Sequence, residues 1–316
     1  RLEPLRVLNL CVFMGVPTNM AINSLQSLLD MAKKSENQRV AVAGFDEESK
    51  QAIERAANEL GLAFTVFDWR FHGEIGLPSH VEFVNCSSPE ESAFQAAKAV
   101  SNGHCSIVMK GFVSTSTFLK AILDKSLSLR GKGLMSHLAL FEVPTYHKII
   151  GVTDGGMIIA PDLEQKVQII ENAVSFFDAM HYEQIKVAVL CAEERPNPNM
   201  PCTLDAAVLR TMSERGEFGK NVLVDGPLAF DLAFSARAAQ VKGVSSPVAG
   251  DADVLLVPDI EAGNLLGKSF SFLCGGKMAG LVLGANCPVI LPSRSDSDEN
   301  KFYSIVAAVA FTGGAQ

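Results

Sequence analysis

Short apolar runs alternate with amphipathic segments along most of the chain. The runs RVAVAG at residues 39–44 and SIVMKG at residues 106–111 are each followed by a segment with helical spacing. A third run, at residues 148–156, precedes apolar residues that recur at steps of four, three, four and three: Leu163, Val167, Ile170, Val174 and Phe177. That spacing marks one face of a helix, and alternating strands and helices predict βαβ units, a mostly parallel sheet and the α/β class.

Several predicted strands end in polar residues or glycine. The endings are MKG, TDGG, VDGP, VPD and LPSR. Ligands of open α/β sheets bind outside the carboxyl ends of the strands, so we expect the functional site at these endings. The alternative for each of them is an ordinary turn, because Asp and Gly are good turn formers.

The length of 316 residues favours two domains, because single cores stop growing at roughly 250 to 300 residues. No Pro-, Gly- or Ser-rich linker separates two halves of the sequence. We therefore expect the chain to cross between the domains near residues 135 and 285.

Charge and composition limit the possible partners. The net charge of -8 and a pI near 5.3 argue against nucleic acid and anionic membranes. No apolar stretch reaches the roughly 20 residues of a membrane span. The run at residues 5–17 resembles a signal peptide but lacks a small-residue cleavage site, and the seven cysteines include no CxxC pair. We expect a cytoplasmic protein with reduced thiols and no metal site.

The motifs of nicotinamide, P-loop, α/β-hydrolase and zincin sites are missing, but KGFVSTSTFLKAIL has the features of an anion site. Lys110 and Gly111 end a strand, and the hydroxyls of Ser114, Thr115 and Ser116 precede a helix. The free N–H groups of a helix start bind anions, and the nearby ammonium and hydroxyls would help. An ordinary N-cap explains the same pattern equally well.

A second polar segment, ILPSRSDSDENK, places Ser293 and Arg294 at a strand end and Asp296 and Asp298 just after it. An arginine can hold a phosphate while a neighbouring carboxylate acts as a general base. The alternative is a solvated helix N-terminus, where acidic residues interact favourably with the helix dipole.

A third segment, VLLVPDIEAGN, runs from an apolar strand into Asp259, Glu261, Gly263 and Asn264, much as another strand runs into Asp154. A parallel strand is apolar throughout when both of its faces are covered. The polar residues lie at a strand end, where substrates of open α/β sheets bind, and Gly263 allows close approach of the backbone.

Four segments in order, LMSHLALFEVP, TDGGMIIAPDLEQK, VAGDADVLLVPDIEAGN and PVILPSRSDS, resemble the phosphate acetyltransferase and phosphate butyryltransferase family. The resemblance is strongest to the butyryltransferase branch and runs from about Arg39 to Ala310. It implies two α/β domains flanking a cleft, related to the isocitrate and isopropylmalate dehydrogenase fold. Here these would be residues 1–135 with 286–316, and residues 136–285.

The resemblance also implies a reaction and its participants. Acyl-CoA and inorganic phosphate would give acyl phosphate and free CoA, in a homodimer that needs no metal or redox cofactor. Ser293 would hydrogen-bond the thioester and Arg294 would hold the phosphate. In an ungapped register the general base of the acetyltransferases falls on Asn300, which leaves Asp296 and Asp298 as the candidate carboxylates.

Two other functions stay open. Butyryltransferase-like sequences tend to have an asparagine where this chain has Ile158, so a catalytically silent CoA-binding homologue is one alternative. A metal- and NAD-dependent dehydrogenase-like enzyme on the related fold is the other. We interpret His137 as a hydrogen-bonded core or cleft histidine rather than a catalyst.

Overall fold

The computed structural model describes residues 22–70, 76–131, 133–293 and 295–314. Arg294 and the run at residues 5–17 lie outside these ranges. The strands are β1 (Arg39–Ala43), β2 (Ala63–Asp68), β3 (Val81–Asn85), β4 (Ile107–Lys110), β5 (Ser136–Glu142), β6 (Ile150–Thr153), β7 (Ile185–Leu190), β8 (Val222–Leu228), β9 (Val254–Leu256), β10 (Lys277–Leu283) and β11 (Val289–Ile290). The helices are α1 (Leu25–Ala32), α2 (Glu47–Leu60), α3 (Pro89–Ser101), α4 (Thr115–Ile122), α5 (Leu163–Ala179), α6 (Pro201–Glu214), α7 (Phe230–Phe234), α8 (Ala236–Lys242), α9 (Ile260–Phe272) and α10 (Asp298–Gly314).

All these strands join one sheet in the order β3-β2-β1-β4-β11-β10-β5-β6-β9-β7-β8. The pairings are parallel except for the three that join β11, β10, β5 and β6 in the middle of the sheet. Two parallel blocks therefore flank an antiparallel centre. The predicted α/β class with a mostly parallel sheet is confirmed.

The sheet continues through the predicted domain boundary near residue 285. On either side of it, β10 and β11 pair antiparallel through Val282 and Val289. The division into residues 1–135 with 286–316 and residues 136–285 stays a prediction.

Helices cover both faces of the sheet, which explains why the strands are apolar throughout. On one face, α1, α2, α5, α6 and α10 pack into a single large hydrophobic cluster. On the other face, α3 and α4 belong to one cluster and α7, α8 and α9 to another. Strand β9, between β6 and β7, is fully buried, as its sequence predicts.

On the side of β10 that faces β11, the strand forms most of its hydrogen bonds with helix α10, because β11 has only two residues. The N–H of Met278 donates to Oδ1 of Asn300 at 3.0 Å, and the N–H of Gly280 donates to Oγ of Ser304 at 2.9 Å. These side chains of α10 complete the hydrogen bonding of the strand.

Within the part of the chain that the structure describes, no helix is both long and apolar enough to cross a membrane.

Candidate active site

A cavity lies where the helical cover of one sheet face is interrupted, between the α3–α4 cluster and the α7–α9 cluster. Its volume is about 650 Å³, a common size for a small-molecule site. Strands β5 and β10 form the floor. The loop after β6, helix α9 and the segment between β11 and α10 form the walls.

Ser293 and Asp296 meet in the segment that leads into α10. The N–H of Ser293 donates to Oδ2 of Asp296 at 2.8 Å, and the N–H of Asp296 donates to the Ser293 carbonyl oxygen at 3.1 Å. Oγ of Ser293 lies 3.0 Å from Oγ of Ser295. Both Ser293 and Asp296 line the cavity, so a hydroxyl and a carboxylate face the same space.

Asp154 holds the loop after β6. It is only 2% exposed, and its carboxylate accepts the N–H groups of Gly156 at 2.7 Å, Met157 at 2.8 Å and His137 at 2.9 Å. These bonds bring Gly155 and Gly156 to the cavity wall. The geometry gives Asp154 a supporting position behind the wall.

Helix α9 packs against this loop through two glycines. A Cβ on Gly263 would lie 2.6 Å from Cα of Gly155, so neither position leaves room for a side chain. Nδ2 of Asn264 donates to the carbonyl oxygen of Gly155 at 3.4 Å. Gly263 and Asn264 both line the cavity.

The two acidic residues of the same motif lie elsewhere. Asp259 is the N-cap of α9 and accepts the N–H of Ala262 at 2.8 Å. It lines a separate cavity of about 610 Å³ on the far side of α9. Glu261 is exposed in the first helical turn, where its charge favours the helix dipole.

The segment from Lys110 to Ser116 contributes one residue to the main cavity, Thr115. Ser114 is the N-cap of α4 and accepts the N–H of Thr117 at 3.0 Å, and its Oγ lies 2.9 Å from Oγ of Ser116. Ser114 is therefore an ordinary N-cap, one of the two interpretations that the sequence left open.

Lys110 and Gly111 line a neighbouring cavity of about 450 Å³, which shares Pro292 and Ser293 with the main one. Lys110 is buried and donates to the carbonyl oxygen of Gly111 at 3.1 Å. A Cβ on Gly111 would come within 1.8 Å of the Gly44 carbonyl oxygen, so this position requires glycine.

Asp298 is separated from Asp296 by the start of α10. It occupies the first turn of that helix and lines a surface depression with Arg55 and Asn58. Of the two candidate carboxylates, the geometry brings Asp296 to the main cavity.

His137 is a cavity residue that the sequence did not identify as functional. Its ring lies between two glycines: a Cβ would lie 3.1 Å from Cγ if added to Gly156, and 3.2 Å from Nε2 if added to Gly280. Within the described residues, the buried Nδ1 has no hydrogen-bond partner. Burial lowers the pKa of the imidazole, against the opposing charges of Asp154 and Asp296. The ring is thus held neutral at neutral pH.

Two lysines at the cavity were also missed. Lys268 follows Asn264 by one helical turn on α9, and its Nζ lies 3.4 Å from Oγ of Ser295. Lys277 begins β10 and pairs with Glu299 at 2.8 Å. The four-residue spacing from Asn264 was the one sequence signal that could have identified Lys268.

Comparison with known proteins shows the family of the chain. The family described as Phosphate acetyl/butaryl transferase matches residues 84–309. The chain belongs to the phosphate acetyl/butyryl transferase family. A phosphate butyryltransferase from Clostridium acetobutylicum is 39% identical over 300 residues, 92% of this chain and 99% of that protein. A phosphate acetyltransferase from Thermotoga maritima is 40% identical over 294 residues, 91% of this chain and 99% of that protein.

Solved structures of the family have the same fold. The crystal structure of a branched-chain phosphotransacylase from Enterococcus faecalis V583 matches with a TM-score of 0.80 and 34% identity. The match covers 87% of this chain and 99% of that one. A Salmonella typhimurium protein described as a 4-hydroxythreonine-4-phosphate dehydrogenase matches with a TM-score of 0.54 and 11% identity, a likeness of fold alone.

Two positions singled out in the sequence, Asn300 and Ile158, have structural roles. Asn300 lines the cavity, but its Oδ1 is the acceptor for the N–H of Met278 at 3.0 Å. Ile158 is partly buried and packs against the large hydrophobic cluster. The Ile158 side chain therefore contributes to the hydrophobic core.

Proposed function

We propose that this phosphate acyltransferase moves a short acyl group, butyryl or acetyl in type, between CoA and inorganic phosphate. The observation that carries the proposal is the convergence of separate motifs on one cavity. Ser293 and Asp296, Thr115, the loop Gly155–Gly156 and Asn264 come from four distant segments and line the same space.

The reaction needs few groups. An oxygen of hydrogen phosphate attacks the thioester carbonyl, the carbon–sulfur bond breaks, and the proton that leaves phosphate ends on the CoA thiolate. Positioning and charge stabilisation supply the catalysis. In this scheme Ser293 donates a hydrogen bond to the thioester, Arg294 holds the phosphate, and Asp296 relays the proton. The family resemblance supports the role of Arg294, and the shared cavity supports Ser293 and Asp296.

The substrates follow from this scheme, whereas the assembly and the location are proposed on separate grounds. The reaction as written needs acyl-CoA and phosphate and no metal or redox cofactor, and we include none. We further propose a homodimer, by analogy with the family, and a cytoplasmic location. The free state of the six cysteines within the described ranges is in keeping with a reducing compartment.

The deciding experiment measures thiol release from acetyl-, propionyl- and butyryl-CoA with and without phosphate, corrected for the cysteines of the protein. Phosphate-dependent release supports the proposal. Saturable CoA binding without release would replace it with the silent homologue. Thermal stabilisation by NAD with a divalent metal, and none by CoA, would favour the dehydrogenase-like alternative.

A further inference from the structure

The floor of the cavity has a regular side-chain pattern that the catalytic residues do not explain. On β5, His137, Ala139 and Phe141 face the cavity, and on β10, Met278 and Gly280 do. Side chains alternate between the faces of a sheet. The intervening residues pack into the large cluster on the opposite face: Leu138, Leu140, Ala279 and Leu281.

The smallest of these floor residues lie side by side. Gly280 pairs with Ala139 across β10 and β5, and Ala139 pairs with Val152 across β5 and β6. All three line the cavity. This row of a glycine, an alanine and a valine crosses three strands and forms an apolar recess in the floor.

Bulkier side chains close the recess at both ends. His137 precedes Ala139 by two residues, and Phe141 follows it by two and pairs with Met278. The Phe141 ring is also approached by α9, since a Cβ on Gly267 would lie 3.2 Å from its Cζ. The rise along an antiparallel strand places Phe141 roughly 7 Å beyond Ala139. An extended butyryl group spans roughly 4 Å between its end carbons and carbon–carbon contact adds roughly 3.5 Å, so a chain of this length would reach the Phe141 ring.

The His137 ring and the end of the Met278 side chain lie over Gly280. A Cβ added there would meet Nε2 of His137 at 3.2 Å, Cε1 of the same ring at 3.9 Å and Cε of Met278 at 4.0 Å. Among the described residues apart from its two chain neighbours, the atoms nearest to that Cβ therefore belong to side chains, which can move. An apolar group lying on the row would contact Ala139 and Val152 below, with Ser293 and Asp296 lining the same cavity.

We propose that the acyl chain of the substrate lies in this recess, and that Ala139, Gly280 and Phe141 select acyl groups of about four carbons. This inference rests on the proposed function. Ala139 provides the depth that an acetyl group does not need, Gly280 leaves room for the His137 ring beside it, and Phe141 limits the chain length.

The test compares kcat/KM for acetyl-, butyryl- and hexanoyl-CoA in the wild type, in Ala139→Leu and in Gly280→Ala. Ala207→Leu, on α6 and away from the cavity, is the matched control for an added isobutyl side chain. We expect Ala139→Leu to lower kcat/KM for butyryl-CoA by roughly 10- to 100-fold and to change the acetyl-CoA value by less than about threefold. Gly280→Ala should also lower kcat/KM for butyryl-CoA relative to kcat/KM for acetyl-CoA, by a smaller factor.

The outcomes separate this inference from the proposed function. A wild type that releases no thiol from any acyl-CoA would overturn the function itself. An active wild type with variants that lose acetyl and butyryl turnover equally, at unchanged melting temperature, would overturn the recess alone. The wild type also tests the end wall if the variants fail to fold: hexanoyl-CoA used as well as butyryl-CoA would contradict the role of Phe141.

Discussion

Ser293 and Asp296 are joined by two reciprocal hydrogen bonds, from the Ser293 N–H to the Asp296 carboxylate at 2.8 Å and from the Asp296 N–H to the Ser293 carbonyl oxygen at 3.1 Å. The carboxylate is therefore fixed beside the hydroxyl at the cavity, whereas Asp298 lines a different depression. Sequence alone left these two acidic residues equivalent.

Exchanging each carboxylate for an amide tests this distinction. We expect Asp296→Asn to lower kcat by about 100-fold or more, the usual scale for losing a general base. The amide oxygen can still accept the Ser293 N–H, so the turn is preserved. Asp298→Asn is the matched control and should leave kcat within about twofold. Steady-state thiol release measures both, and a larger loss in Asp298→Asn would reverse the assignment.

Removal of the guanidinium next to Ser293 tests phosphate binding. Arg294→Ala should lower phosphate-dependent turnover by roughly two to three orders of magnitude, because a charge that stabilises the transition state is lost. Arg237→Ala, at an exposed position of α8, controls for the loss of one positive charge. Turnover of Arg294→Ala near the wild-type rate would remove this residue from the proposed site.

The buried carboxylate of Asp154 stabilises the loop after β6, which forms one wall of the cavity. Asp154→Asn would turn an NH₂ group toward backbone N–H groups that now donate to an oxygen. We expect the free energy of unfolding to fall by roughly 2–3 kcal/mol, since a buried donor loses its acceptor. Asp162→Asn, at the N-cap of α5, should cost about 1 kcal/mol or less. Urea denaturation measures both, and equal losses would contradict the buried role of Asp154.

A buried ion-pair cluster anchors β9 to the loop before β6. Nζ of Lys148 lies 2.8 Å from Asp251 and 2.7 Å from Asp253, which is almost fully buried. Burial opposes ionisation, but the bonds and charges of Lys148 and Lys186 hold the pKa of Asp251 well below its usual range. Burial raises the pKa of Asp253.

Lys148→Met should therefore lower the free energy of unfolding by roughly 3 kcal/mol, because it leaves a buried carboxylate without its cation. Lys242→Met is the matched control: Lys242 also pairs with two carboxylates, Glu194 and Asp231, but more openly to solvent. The control should lose far less stability, because exposed ion pairs contribute little. Similar losses in the two variants, measured by urea denaturation, would count against the buried cluster.

Local sequence was sufficient to predict these helices and strands and the mostly parallel character of the sheet. The helical segment after β1 coincides with α2 (Glu47–Leu60), and the spacing from Leu163 to Phe177 corresponds to α5. Apolar periodicity and caps depend on neighbouring residues, so both can be identified from a short window.

The antiparallel centre of the sheet could not be predicted in the same way. The run KMAGLVL of β10 is covered on both faces, and its apolar pattern would be the same in either orientation. Its direction depends on β5, which lies far away in the sequence. The roles of Asp154 and His137 also depend on distant partners, so nothing local distinguishes them from a turn residue or a core histidine.

His137 makes stability dependent on pH in a predictable direction. Burial lowers the pKa of its imidazole in the folded state, while Asp154 and Asp296, the charged groups facing it, oppose that shift. An unfolded chain has a histidine pKa near 6.5. As the pH falls below about 6.5, the unfolded state takes up a proton that the folded state does not, so the stability contribution of neutral His137 is progressively lost.

His137→Asn removes this dependence. We expect the difference in unfolding free energy between variant and wild type to shift in favour of the variant on acidification, by up to about 1.4 kcal/mol per pH unit. Urea denaturation from pH 7.5 to 5.0 measures it, with His104→Asn, at an exposed position, as the control substitution. Parallel profiles for His137→Asn and the wild type would show that burial does not lower the pKa of the ring.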